Sequence, residues 1–231
     1  LRKKNQLPIV SLVGYTNAGK STIMNAMIEK YNPSSNKQVF EKDMLFATLD
    51  TMVRQISLSN NKQFLLADTV GFVSKLPHHL IKAFRSTLEE VSEADLLIHV
   101  VDVANPNYKK MIEVTNETLA DIGVKDIPVI YAYNKADLAG ILYPKVENDR
   151  IYLSAKERKG IDELTSIICD YVFTDYIQCE MLIPYDFGHI VSYFNEVAVI
   201  KDTIYEENGT KLIMECKKKD FNKYEQFVIK S

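Results

Sequence analysis

The chain has 231 residues, of which 46% are hydrophobic and 26% charged, and its formal net charge at pH 7 is −3. This length fits one large domain or one domain with a small appendage, and the overall charge does not indicate a nucleic-acid binder, although a local basic patch stays open. No apolar run reaches the roughly 20 residues of a membrane-spanning helix. The cysteine spacing matches no metal or disulfide pattern, so we expect reduced thiols and a cytoplasmic protein.

Apolar segments of strand length alternate with helical patterns along most of the chain. Such alternation is typical of an α/β fold with a mostly parallel central sheet flanked by helices. A hairpin is predicted at Asn60-Asn61-Lys62, and His99, inside an apolar run, is predicted to be a satisfied core histidine. The strands are predicted at residues 7–13, 56–59, 63–67, 96–103, 127–133 and 151–154, and the helices at 22–30, 78–94, 106–123 and 160–176.

The pattern changes near residue 176. Strands are predicted at 179–184, 196–205 and 210–217, with a short helix at 187–195 and a hairpin turn at Asn208-Gly209. We therefore predict two domains, residues 1–176 and a small α+β domain at residues 177–231. The chain does not begin with Met, and we expect it to be a fragment of a longer protein.

A phosphate-binding loop is predicted where the first strand meets the first helix. The sequence Gly14-x-x-x-x-Gly19-Lys20-Ser21 fits that pattern in full, and its glycines allow backbone amides to wrap around phosphates. Lys20 is expected to contact the β- and γ-phosphates, and the Ser21 hydroxyl to bind Mg²⁺. The predicted phosphate-binding residues are Tyr15, Thr16, Asn17, Ala18, Gly19, Lys20, Ser21 and Thr22.

The base is predicted to be guanine because Asn134-Lys135-Ala136-Asp137 follows a buried strand. The Asp137 carboxylate can accept hydrogen bonds from guanine N1–H and N2–H₂, a pair of donors that adenine lacks. Lys135 is expected to pack along the base, and Asn134 to tie this segment to the phosphate loop. In Ser154-Ala155-Lys156, which closes the next strand, the Ala155 amide is expected to bind guanine O6. Residues 1–176 are therefore predicted to be a GTP-binding domain.

The segment Asp68-Thr69-Val70-Gly71 is predicted to respond to the γ-phosphate. Asp68 is expected to hold Mg²⁺ through water, and the Gly71 amide to contact the γ-phosphate, which makes Lys20 and Gly71 the predicted catalytic groups. Thr48 is the favoured third Mg²⁺ ligand, with Thr51 as its rival. Phe72 stands where many GTPases carry a water-orienting glutamine, so we predict slow intrinsic hydrolysis.

Together these segments resemble the HflX family of GTPases. The resemblance is carried by residues 13–22, by Leu45-Phe46-Ala47-Thr48-Leu49-Asp50, and by residues 68–78 with their continuation into 83–90. It implies binding to the large ribosomal subunit including its rRNA, splitting of stalled or idle ribosomes, and hydrolysis that ribosomes stimulate. Members usually have Pro where Thr51 stands, and they carry an N-terminal domain, which we expect to be missing from this chain.

Three activities stay open from the residues alone: a ribosome-associated GTPase, a nucleotide-switched binding module with incidental turnover, and an enzyme that also uses ATP. The resemblance favours the first. We expect Mg²⁺ as cofactor, GTP and GDP as ligands, no DNA partner, no need for a membrane and a monomeric isolated chain. A cytoplasmic location is expected, with association to ribosomes or membranes left open.

Overall fold

The computed structural model describes residues 7–32, 52–69, 71, 90–124 and 126–230. The chain divides into two compact units. The first combines Leu1–Ile56 with Phe64–Val172, and the second combines Ser57–Gln63 with Phe173–Ser231. The predicted domain boundary after residue 176 stays a prediction. None of the helices within the described ranges is long and apolar enough to cross a membrane.

The first unit contains a seven-stranded sheet whose order is β2-β3-β1-β4-β5-β7-β6. Strands β3, β1, β4, β5 and β7 are parallel, and β6 pairs with β7 in antiparallel fashion at one edge. The strands are β1 (Ile9–Val13), β2 (Met52–Ser57), β3 (Gln63–Asp68), β4 (Leu96–Asp102), β5 (Val129–Asn134), β6 (Lys145–Glu147) and β7 (Arg150–Tyr152). This arrangement confirms the predicted mostly parallel sheet.

The centre of this sheet is its most apolar part. Six of the seven residues of β4 are buried, as its continuous apolar run requires for a strand covered on both faces. Among the described residues, the helices of the unit are α1 (Lys20–Tyr31), α2 (Tyr108–Asp121), the short α3 (Ala136–Ala139) and α4 (Ile161–Val172), with a 3₁₀ turn at Glu90–Glu93. Most of the predicted helix at 78–94 lies outside the described residues. Because the central strands are parallel, the carboxyl ends of β1, β3, β4 and β5 lie along one edge of the sheet, where ligands bind in such folds.

The second unit contains a four-stranded antiparallel sheet ordered β11-β8-β10-β9. Its core includes Met181, Phe194, Leu212 and Met214, together with two of the three free cysteines. Its elements are β8 (Tyr176–Ile183), α5 (Gly188–Val197), β9 (Val199–Glu206), β10 (Gly209–Lys217), α6 (Lys218–Lys223) and β11 (Val228–Lys230), with 3₁₀ turns at Tyr185–Phe187 and Glu225–Phe227. The predicted combination of a helix with antiparallel strands is confirmed.

Two local predictions for this unit were off by a few residues. Strand β9 begins at Val199 rather than at residue 196, because helix α5 continues to Val197. The turn between β9 and β10 is Glu207-Asn208, and Gly209 is already paired with Glu206. Gly209 has φ +157°, and a Cβ atom there would lie 2.3 Å from the carbonyl oxygen of Ile183. The glycine is therefore required by a close backbone approach and not by the turn itself.

The predicted turn at Asn60-Asn61-Lys62 is present and is part of the second unit. The Asn61 side-chain amide donates hydrogen bonds to the carbonyl oxygens of Asn195, at 3.0 Å, and Ala198, at 2.9 Å. These carbonyls lie at the C-terminal end of α5, where helical carbonyls lack intrahelical partners. Lys62 forms an ion pair with Glu215, with 3.0 Å between Nζ and Oε2. The turn therefore caps a helix that is distant in sequence.

We expect Asn61→Gly to lower the free energy of unfolding of the second unit by roughly 1 kcal/mol, because an exposed hydrogen bond to Asn195 and a half-buried one to Ala198 are lost. Glycine tolerates the φ of +60° at this position, so the change isolates the side chain. Hydrogen exchange in α5 should become faster. The matched control is Asn148→Gly, at an exposed turn residue with φ +54° between β6 and β7. Equal protection of α5 in both variants would contradict the capping role.

Candidate nucleotide-binding site

The phosphate loop connects β1 to α1 and requires glycine at both of its defining positions. Gly14 has φ +150°, and a Cβ atom there would lie 2.4 Å from the carbonyl oxygen of Val100. Gly19 has φ +101°, and its Cβ atom would lie 2.2 Å from Nδ2 of Asn134. Side chains are excluded at both positions by the backbone conformation and by the neighbouring atoms. The remaining predicted phosphate-binding residues occupy this loop and the first turn of α1.

A buried lysine and a buried carboxylate face the loop. Lys20 is 7% exposed and its Nζ donates a 3.4 Å hydrogen bond to the carbonyl oxygen of Gly14. Burial lowers the pKa of Lys20, and the charge of Asp68 partly opposes that shift. Burial raises the pKa of Asp68, opposed by Lys20 and by the hydrogen bond from Ser21. A bound triphosphate, by supplying negative charge, would favour the charged lysine.

The predicted Mg²⁺ ligands Ser21 and Asp68 lie side by side. The Ser21 hydroxyl donates to Oδ2 of Asp68 at 2.6 Å. The other carboxylate oxygen, Oδ1, is buried and has no hydrogen-bond partner within the described part of the chain. Leaving such an oxygen unpaired is costly, and hydroxyl and carboxylate oxygens are ligands that Mg²⁺ prefers. The donor set therefore fits a magnesium ion.

Gly71 lies against the phosphate loop. A Cβ atom at this position would meet Cγ2 of Thr16 at 2.8 Å and Nζ of Lys20 at 3.2 Å. The fold thus brings the two predicted catalytic groups, Lys20 and Gly71, together. Thr48, Thr51 and Phe72 lie outside the described residues, and their roles stay predictions.

Asn134 joins three loops through one side chain. Its Nδ2 donates to the carbonyl oxygen of Ala18 at 3.0 Å, and its Oδ1 accepts the backbone N–H of Ala155 at 3.0 Å. The residue is 3% exposed. The hydrogen bond to Ala18 is the predicted link between the base-binding segment, Asn134-Lys135-Ala136-Asp137, and the phosphate loop. The Ala155 amide, in contrast, is already engaged by Asn134, so its predicted bond to guanine O6 stays a prediction.

Lys135 and Asp137 follow Asn134 at the end of β5. Lys135 has φ +63°, and its Nζ donates to the carbonyl oxygen of Asn17 at 2.8 Å. Oδ1 of Asp137 is buried and has no hydrogen-bond partner among the residues that the structure describes. An unpaired acceptor at this position fits a ligand that presents N–H donors, as guanine does.

The segment Ser154-Ala155-Lys156, which is also predicted to contact the base, is held in place by hydrogen bonds to nearby residues. The Ser154 hydroxyl accepts the backbone N–H of Glu157 at 3.3 Å. Arg158 donates to the carbonyl oxygen of Ala155 at 2.8 Å and to Glu29 of α1, also at 2.8 Å. Ser154 and Ala155 are fully buried, whereas Lys156 is exposed. Arg158, which the sequence pattern did not single out, therefore links this loop to α1.

A second residue without a sequence prediction is Asp102, the last residue of β4. Its Oδ2 lies 2.6 Å from Nζ of Lys135. The only signal in the sequence is an acidic residue at the end of a buried strand, a position where side chains reach the ligand edge of a parallel sheet.

His99 is a core residue, as predicted, and one of its ring nitrogens has no partner among the described residues. It is 1% exposed, and its ring stacks on Tyr131 with 5.2 Å between centroids. Its Nδ1 has no hydrogen-bond partner in the described ranges, whereas the ring does form a hydrogen bond with the Asn116 side chain. Among the described residues the prediction of a satisfied histidine is therefore met for only one of the two ring nitrogens. Burial, with a smaller contribution from the charge of Lys20, lowers its pKa from 6.5 to about 4.

Comparison with known proteins places these features in context. The sequence family described as "50S ribosome-binding GTPase" matches residues 9–135. "GTPase HflX" of Caldanaerobacter subterraneus subsp. tengcongensis is 42% identical over 208 residues, which are 90% of this chain and 47% of that protein. "GTPase HflX" of Escherichia coli K12 is 37% identical over 215 residues, covering 90% and 49%. The chain thus spans about half the length of these relatives.

The fold is also similar to that of a solved structure. A GTP-binding protein from the hyperthermophilic archaeon Sulfolobus solfataricus, in complex with GDP, superposes with a TM-score of 0.55 at 26% identity. The similarity covers 72% of this chain and 52% of that one. It agrees with the α/β architecture described above.

The buried His99 predicts a loss of stability in acid. Its pKa is depressed in the folded chain, so below pH 6.5 the unfolded chain takes up a proton that the folded chain refuses until about pH 4. We expect this residue to contribute stability that is present above pH 6.5 and falls by roughly 3 kcal/mol as the pH drops to 4. The measurement is the free energy of unfolding by urea at several pH values.

The matched variants are His99→Phe, which keeps a ring against Tyr131, and His189→Phe at an exposed histidine of the second unit. Only His99→Phe should reduce the fall in the free energy of unfolding between pH 6.5 and 4. A wild-type slope retained in His99→Phe would show that other groups cause the acid sensitivity.

Proposed function

Because this chain belongs to the 50S ribosome-binding GTPase family, we propose that it binds GTP with Mg²⁺ and hydrolyses the GTP to GDP and inorganic phosphate. The predicted resemblance to HflX is confirmed by relatives of that name. The observation that carries the proposal is a pair of buried acceptors, Oδ1 of Asp68 and Oδ1 of Asp137, that have no hydrogen-bond partner among the described residues. Ser21 bonds Asp68 to the phosphate loop, and Asn134 bonds the segment of Asp137 to it. One fits a hard cation and the other fits a guanine edge.

In this proposal the phosphates lie on the loop between β1 and α1. Amides of the loop and the N-terminus of α1 bind the phosphate oxygens, and the buried Lys20 contributes a positive charge. Mg²⁺, when bound, neutralises charge on the phosphate oxygens, with Ser21 and Asp68 as the groups that hold it. Water attacks the γ-phosphorus and the bond to the bridging oxygen breaks, while Lys20 and the Gly71 amide stabilise the charge that develops.

The intrinsic rate is proposed to be slow. Phe72 follows Gly71 directly, and its benzyl side chain has no group that donates to or accepts from water. Orientation of the attacking water then requires a group from elsewhere, and the family description points to the large ribosomal subunit. We propose that this subunit, including its rRNA, is the partner, that ribosome splitting or rescue is the process served, and that the protein is cytoplasmic and monomeric when isolated.

A second candidate function is a binding module in which GTP orders a surface and turnover is incidental. The observation that favours it is again Phe72, because a GTPase with phenylalanine at the usual glutamine position keeps its triphosphate for longer. The two functions make different predictions for a single measurement, the turnover number with and without ribosomal subunits.

The guanine preference is tested by Asp137→Asn. An amide in place of the carboxylate replaces one acceptor by a donor, which fits the C2 carbonyl of xanthine instead of the N2 amine of guanine. We expect GDP affinity to fall by about 100-fold and xanthosine diphosphate affinity to rise, both measured by competition against a fluorescent nucleotide. The exposed Asp170→Asn is the control and should behave as wild type. Equal affinity of the wild type for ADP and GDP would contradict the guanine site.

The ribosome partnership is tested by turnover. We expect purified large subunits to raise the GTP turnover number by at least about tenfold, because they supply the group that orients water. Small subunits serve as the control, and co-sedimentation in GDP and in a non-hydrolysable GTP analogue reports binding separately. Nucleotide-dependent binding without stimulation would favour the binding module. If the large subunit neither binds nor stimulates the protein, the ribosome is not a partner of this chain.

A further inference from the structure

Asp102 occupies a position that neither the sequence motifs nor the comparisons assign. It ends β4 and is the sheet partner of Asn134 at the end of β5. Both of its carboxylate oxygens are engaged. Oδ1 accepts the backbone N–H of Ala104 at 3.1 Å, and Oδ2 lies 2.6 Å from Nζ of Lys135. With both oxygens held, the side chain has a single orientation.

Lys135, the ion-pair partner of Asp102, is constrained in both its backbone and its side chain. Lys135 adopts φ +63°, which costs free energy for a residue with a Cβ atom. Its ammonium group also donates to the carbonyl oxygen of Asn17 in the phosphate loop at 2.8 Å. One cation therefore bridges the end of β4 and the phosphate loop while its stem extends between them.

The environment of the ion pair makes it more than a surface contact. The side chains of Lys135 and Asp102 are 32% and 20% exposed, so solvent screens their attraction less than it would on the surface. Without the carboxylate, the ammonium would keep only the carbonyl of Asn17 as a partner among the described residues, and its stem would regain rotational freedom. The hydrogen bond from Lys135 to Asn17 would then be weaker, and the stem of Lys135 would be held less firmly.

We propose that Asp102 is a positioning residue that acts through Lys135, holding the lysine between β4 and the phosphate loop and thereby slowing the release of guanine nucleotide. The inference rests on the proposed function, since it assigns the Lys135 stem to the face of the guanine base. Asp102 itself makes no contact with the nucleotide in this role. It adds a third strand end, that of β4, to the parts that hold the nucleotide.

The test is the dissociation rate of a fluorescent GDP analogue in the presence of Mg²⁺. Asp102→Asn keeps the shape and an oxygen that accepts from Ala104, but it removes the charge. We expect release to become about tenfold faster, as for loss of a charge-assisted contact. The matched control is Asp162→Asn, because Lys30 and Asp162 also form a 2.6 Å ion pair, in this case between α1 and α4. Its release rate should equal that of the wild type.

A double-mutant cycle separates positioning from general stability. Lys135→Met keeps an apolar stem and removes the ammonium group. If Asp102 acts through that group, Asp102→Asn adds no further acceleration in the Lys135→Met background. A structural role instead predicts an added acceleration in both backgrounds, together with a lower melting temperature of the nucleotide-free protein. Additive effects, or an unchanged rate in Asp102→Asn alone, would overturn the inference. Failure of the wild type to bind GDP would instead overturn the proposed function.

Discussion

The buried side chain of Asn134 is the interaction on which the rest of the site depends. A carboxamide offers a donor and an acceptor in one plane, and both are used here, toward Ala18 and Ala155. The three segments that it joins follow β1, β5 and β7, so their spacing is set by the sheet. Aspartate would lack the donor and leucine would lack both groups. The close approach that excludes a side chain at Gly19 is made by the same amide.

Beside the Asn134 side chain, the site contains buried polar and ionisable groups that a ligand could pair with. Lys20 and Asp68 are buried ionisable groups. Burial lowers the pKa of Lys20 and raises the pKa of Asp68, so it favours the uncharged form of each. Asp137 has a buried oxygen without a described partner. These groups cost stability in the unliganded protein, because burial disfavours charged and unpaired polar groups. A ligand that supplies a cation and N–H donors would recover it, which is how binding stabilises a folded state.

The sequence predicted the parts of the fold that depend on local pattern. Continuous apolar runs identified β1, β4 and β5, and the glycine spacing identified the phosphate loop, because both are set by neighbours in the chain. The ion pair of Asp102 with Lys135 and the capping of α5 by Asn61 were not predicted. Asn61 and Asn195 are 134 residues apart, and no local pattern encodes such a contact. The turn before β10 was misplaced by one residue for the same reason, since Ile183 on β8 requires the glycine.

The hydrogen bond from Asn134 to Ala18 also has an electrostatic consequence. In a planar trans peptide the C=O and N–H groups point in opposite directions. Fixing the Ala18 carbonyl toward Asn134 therefore turns the N–H of Gly19 to the opposite side of the same peptide plane. A residue of the base-binding segment thus sets the direction of a backbone dipole in the phosphate-binding segment. The orientation of that dipole is fixed by the folded chain before any anion arrives, so no free energy of binding is spent in turning it.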